Sequence, residues 1–120
     1  MPDAFETCVE RALDSLPPDA RRLLETVAIV IEQEPSSRQR REEGLAADET
    51  LYGLYEGTPI TAYAADWVPY PNKITIFRGP LEADFPDRHE LEAEIRITVL
   101  HELAHYFGID EDRLDELGYA

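Results

Sequence analysis

Apolar residues at helical spacing open the chain. Phe5, Val9, Ala12, Leu13 and Leu16 recur with Glu6, Glu10, Arg11 and Asp14 between them, which predicts an amphipathic first helix. Pro17 and Pro18 stop it, and Asp19 is placed to cap a short second helix over 20–25. Residues 26–32 are β-branched and almost continuously apolar, the pattern of a buried strand that ends before Pro35. Residues 36–43 are polar and carry Arg38, Arg40 and Arg41. They read as a solvated loop, with an anion or substrate patch as the alternative. Residues 51–57 fit a short strand whose glycines permit a bend or a close backbone approach. Pro59, Pro69 and Pro71 make 58–72 mostly loop, with Trp67 and Tyr70 as packing anchors. Lys73-Ile74-Thr75-Ile76-Phe77-Arg78 alternates at period two, a half-buried strand closed by Gly79-Pro80, and the flanking proline suits a sheet edge.

The last long element runs from about Asp87 to Phe107. Leu91, Ile95, Val99, Leu103 and Tyr106 form one stripe, and Ile97, Leu100, Ala104 and Phe107 fill much of the remainder. A helix apolar on nearly every side is expected at the centre of the fold. Gly108 falls where it ends, and 110–118 makes a short acidic helix after it.

Composition narrows the classes of partner. One domain over residues 1–120 is expected from the length. The formal net charge of −15 disfavours nucleic acid and anionic membranes, because both are gripped by Lys and Arg; it suits metal ions and basic peptides. No apolar run is long enough to span a bilayer, and the acidic N-terminus does not read as a signal peptide. The cytoplasm is the default location, and a monomer is the simplest expectation for assembly. Cys8 is the only cysteine, so no intrachain disulfide and no cysteine zinc cluster can form.

Chemistry concentrates in His101-Glu102-Leu103-Ala104-His105, which reads H-E-x-x-H. Helical residues four apart differ by roughly 40° and rise about 6 Å, so both imidazoles can reach one metal ion. Glu102 lies beside them, placed for a general base rather than a ligand. Two histidines do not complete a catalytic zinc site, which typically takes three protein ligands and keeps one position open. His89 is twelve residues upstream of His101 and reads as a surface residue. The third ligand is therefore expected to be a carboxylate past the turn at Gly108: Glu111 first, with Asp110 and Asp112 as alternatives. These acids also suit a helix N-terminus without any metal.

The stretch from His101 to Glu111, with Glu94-Ile95-Arg96-Ile97-Thr98-Val99-Leu100 before it and Arg113-Leu114 after it, resembles the minimal zincin-like metallopeptidases of bacteria. Residues 27–32, 51–57 and 74–80 are similar to that family too. The resemblance implies an α+β, zincin-like fold: a small mixed β-sheet packed on a central H-E-x-x-H helix, with flanking helices. It implies Zn²⁺ held by His101, His105 and an acid. The family usually has aspartate at the third position, where Glu111 stands here. Larger metzincins carry a histidine there and a methionine-containing turn; this chain has Met1 as its only methionine.

The expected function is hydrolysis of a peptide or protein substrate by zinc-activated water, with Glu102 as general base. The peptide would add as a strand along 73–78. Tyr63 and Tyr119 are the candidates for oxyanion stabilisation. The alternative is a zincin scaffold that binds metal or an extended peptide without cleaving it. A third possibility, an RNA-processing hydrolase with a related helical histidine motif, is opposed by the negative charge.

Overall fold

The computed structural model describes residues 3–57 and 72–107. Helix α1 (Ala4–Asp14) begins where the Asp3 side chain accepts from the Glu6 amide, and it buries Phe5, Cys8, Val9 and Ala12. Helix α2 (Pro18–Leu23) follows. Pro17 is its N-cap and makes no side-chain cap bond, so Asp19 does not have the capping role expected of it. A 3₁₀ turn (Leu24–Thr26) leads into strand β1 (Ala28–Glu32). The strand starts later than its apolar run suggests and is half-exposed rather than buried; among the described residues it has a neighbour on one side only.

The arginine-rich stretch is not a loop. It forms helix α3 (Ser37–Glu42), started by a reciprocal capping box between Ser36 and Gln39. It is closed at Gly44, whose φ of 66° suits a residue without a Cβ; the Gly44 and Leu45 amides donate back to the Arg41 and Arg40 carbonyls. Two of its cations are engaged by the protein itself: Arg38 with Glu42 and Glu56, Arg40 with the Ala46 and Ala47 carbonyls.

Strands β2 (Gly53–Glu56) and β3 (Lys73–Phe77) complete a mixed sheet of order β1-β3-β2. β3 pairs parallel with β1 and antiparallel with β2. It is therefore the central strand, not the edge, and Ile74, Thr75, Ile76 and Phe77 are all buried. The proline that suggested an edge lies beyond the strand. Pro80 sits in helix α4 (Arg78–Asp84), where a proline in the first turn loses no intrahelical bond. Arg78 pins α4 to α1 by pairing with Asp3 and Glu82 and lying over the Phe5 ring.

Helix α5 (Arg88–Phe107) is opened by Asp87, whose carboxylate accepts from the His89 and Glu90 amides. Leu91, Ile95, Val99, Leu100, Leu103 and Ala104 are buried along it. They share one core with α1, Val27, Ile74 and Ile76, so α1 and α5 cover one face of the sheet. Leu54 and Glu56 point to the opposite face, where Gln39 and Arg38 of α3 meet Glu56. The architecture is α+β, with a small mixed sheet among helices. No helix among the described residues is long and apolar enough to cross a membrane.

Candidate metal centre and its groove

One line of side chains on α5 follows strand β2. Glu94, Thr98 and Glu102 are four apart and so lie one turn above another. At the middle of the line, Thr98 is packed so closely on Gly53 that a Cβ there would lie 2.5 Å from the threonine Cγ2. Glycine is thus required by the approach of helix to strand, as its place in the sequence suggests. At the lower end, Glu102 Oε1 accepts from the Tyr55 amide at 2.7 Å. At the upper end, the charge of Glu94 acts on the Tyr52 phenol.

The Tyr55 amide faces away from the sheet. The Phe77 amide donates to the Tyr52 carbonyl, and the register pairs Leu54 with Thr75 and Glu56 with Lys73. Antiparallel hydrogen-bonded pairs alternate, so residues 52, 54 and 56 bond to β3 while Gly53 and Tyr55 direct their main-chain groups outward. Glu102 therefore closes part of the outer rim of β2.

His101 and His105 are both exposed, one turn apart beside that line. Although α5 reads in sequence as a helix at the centre of the fold, its two motif histidines are not buried in it. The motif residue held in from solvent is Glu102, whose side chain is 18% exposed against 82% for His105. The reason is local: α5 buries the face of Ile95, Val99 and Leu103, and the histidines lie off that face. His101 makes no hydrogen bond among the described residues, and His105 Nδ1 lies 3.8 Å from Glu102 Oε2, outside hydrogen-bonding range. Two exposed imidazoles at i and i+4 are the donor chemistry that zinc takes. Among the described residues no third His, Cys, Asp or Glu joins them. Glu111, Asp110, Asp112, Gly108, Tyr119, Tyr63, Trp67 and Tyr70 lie outside the described residues. His89 is exposed, as expected.

Burial raises the Glu102 carboxyl above the ordinary glutamate value; the Tyr55 amide and the two histidines pull the other way, and Glu43 adds to the rise. Burial also raises Glu94, with His101 opposing it. Sequence reasoning missed Glu94, Thr98 and the Tyr55 amide. The first two were legible as an i, i+4, i+8 line ending in the motif glutamate. The amide was not, because its direction depends on strand pairing.

A small mixed sheet beside a long helix that carries H-E-x-x-H spacing gives the chain an α+β architecture. The sequence pattern described as "Zincin-like metallopeptidase" matches residues 24–119, and the chain belongs to that family. The match begins after α1, although α1 supplies Phe5, Cys8, Val9 and Ala12 to the core. Comparison with curated proteins returns no match.

Proposed function

We propose that the chain is a zinc-dependent peptidase in which Glu102 is the general base and His101, His105 and Glu111 hold the metal. The observation that carries this reading is the position of Glu102. One carboxylate oxygen is fixed on the Tyr55 amide, and the other lies on the side of the histidine pair. Zinc, when bound, supplies Lewis-acid polarisation of a peptide carbonyl and lowers the pKa of a bound water to about 7. Glu102 takes a proton from the attacking water and passes it to the leaving amine. Its raised carboxyl suits that exchange, since proton transfer is most effective from a group tuned towards neutral pH.

The peptide lies along the outer rim of β2, not along 73–78. β3 is hydrogen-bonded on both sides and has no edge to offer. On β2, the main-chain groups of Gly53 face outward, the side from which an added strand approaches. One observation favours the second reading, a scaffold that binds without turnover: Glu102 spends an oxygen on its own strand.

Zinc content and cleavage of a peptide library separate the two. Glu102→Gln is expected to keep zinc and lose turnover by at least about a hundredfold. His101→Ala is expected to lose zinc. Turnover that survives Glu102→Gln rejects the general-base role; tight zinc with no turnover in the wild type selects the scaffold.

A further inference from the structure

Two contacts between α5 and β2 run in step. Thr98 and Glu102 are four residues apart on the helix, a rise of about 6 Å. Gly53 and Tyr55 are two apart on the strand, about 7 Å of extended chain, and belong to one face. Thr98 meets the first of them and Glu102 the second.

The seat under Thr98 has no slack. A Cβ at position 53 would lie 2.5 Å from Thr98 Cγ2 and 3.3 Å from the Thr75 carbonyl oxygen. A side chain there is caught between the helix and the central strand. Neither wall is free to yield, since Thr75 is fully buried and Thr98 is 8% exposed. The Thr98 hydroxyl makes no hydrogen bond among the described residues, so the methyl is the part of Thr98 that meets the strand. On its other side α5 is held in the core by Ile95, Val99 and Leu103. Close packing at Thr98 and the 2.7 Å bond at Glu102 are thus two readings of one spacing between helix and strand.

We propose that Thr98 and Gly53 are positioning residues for the general base. Their contact sets the height of α5 over β2 and so keeps one Glu102 oxygen on the Tyr55 amide, leaving the other towards the histidines. The kinetic consequence rests on the peptidase reading above; the structural one rests on the α5–β2 geometry alone. A base moved by about 1 Å can lose up to a hundredfold in rate, so the absence of a side chain at position 53 bears on turnover as well as on folding.

Amide exchange in the metal-free chain reads the seat without turnover. In Gly53→Ala the Tyr55 amide is expected to exchange about tenfold faster relative to the amides of β3, because its acceptor is drawn away. In the zinc-loaded variant kcat on a cleaved peptide is expected to fall about tenfold, with KM and zinc content unchanged. Adding Thr98→Ser, which removes the opposing methyl, is expected to restore both readings. Ile95→Ala loosens the opposite side of the same helix and is expected to keep wild-type kcat per folded molecule. Wild-type exchange and kcat in Gly53→Ala overturn the proposal, as does a double variant that restores neither. An equal fall of kcat in Ile95→Ala assigns the effect to lost stability, and loss of zinc from Gly53→Ala assigns it to the metal; either also overturns it. If the wild type cleaves no peptide, the peptidase reading fails, and exchange at Tyr55 alone decides whether the seat holds Glu102.

Discussion

The two long sides of α5 are built on different principles. The side facing α1 and the centre of the sheet is a continuous apolar stripe, Leu91, Ile95, Val99 and Leu103, each 5% exposed or less. The side facing β2 is a polar line, Glu94, Thr98 and Glu102, in which Thr98 packs on Gly53 and Glu102 accepts from the Tyr55 amide. The first side stabilises through area removed from water, which tolerates changes of shape so long as volume is kept. The second side contributes little area. It fixes where the helix sits against the rim of the sheet, and it depends on single contacts that no neighbour can replace. A helix that positions chemistry needs both: one side to hold it, the other to aim it.

Substitution on each side sharpens that contrast. The largest effect is expected on the apolar side. Ile95→Ala opens a cavity at a fully buried position and should cost about 3 kcal/mol, read as a fall in the thermal midpoint, while zinc per folded molecule stays unchanged. On the polar side, Gly53→Ala drives a methyl into Thr98 Cγ2 and should cost about 1–3 kcal/mol. Thr98→Ser removes that methyl, so the double variant should recover most of the loss in chemical denaturation. If it does not, the close approach is not what makes glycine necessary.

The smallest effect is a pH dependence. Glu102 has a folded-state carboxyl raised by burial, so the native state binds its proton more tightly than the unfolded chain. Its contribution is then most favourable below the unfolded value of about 4.3 and is lost as pH rises through the higher folded value. Metal-free Glu102→Gln should therefore match the wild type near pH 4 and become relatively more stable towards pH 7. Melting curves across that window check the sign. A wild type that becomes the more stable of the two as pH rises would mean that the Tyr55 amide outweighs burial.

The tertiary structure also explains where local pattern misled. Residues 36–43 look like a solvated loop because their apolar content is nil, yet Ser36 and Gln39 form a capping box and Gly44 a terminator, so local hydrogen bonds set the helix without a hydrophobic face. The alternation in 73–77 suggested one buried face. In the sheet both faces are covered, by α1 and α5 on one side and in part by α3 on the other, and a threonine is buried with the isoleucines. Period two reports a strand; it does not report how many neighbours the strand has.

What the sequence determined by itself was the sum of local signals: α1 and α5 from their apolar spacing, the short strands from β-branched runs, and the candidate chemistry from two histidines and a glutamate within one helical turn and a quarter. Those depend on side-chain order along one element, which the chain carries explicitly. The central place of β3, the outward direction of the Tyr55 amide and the exposure of His101 and His105 beside a half-buried Glu102 were decided only when distant segments paired. Each depends on which face of one element meets which edge of another, and that is settled by the packing of the whole core rather than by any stretch of it.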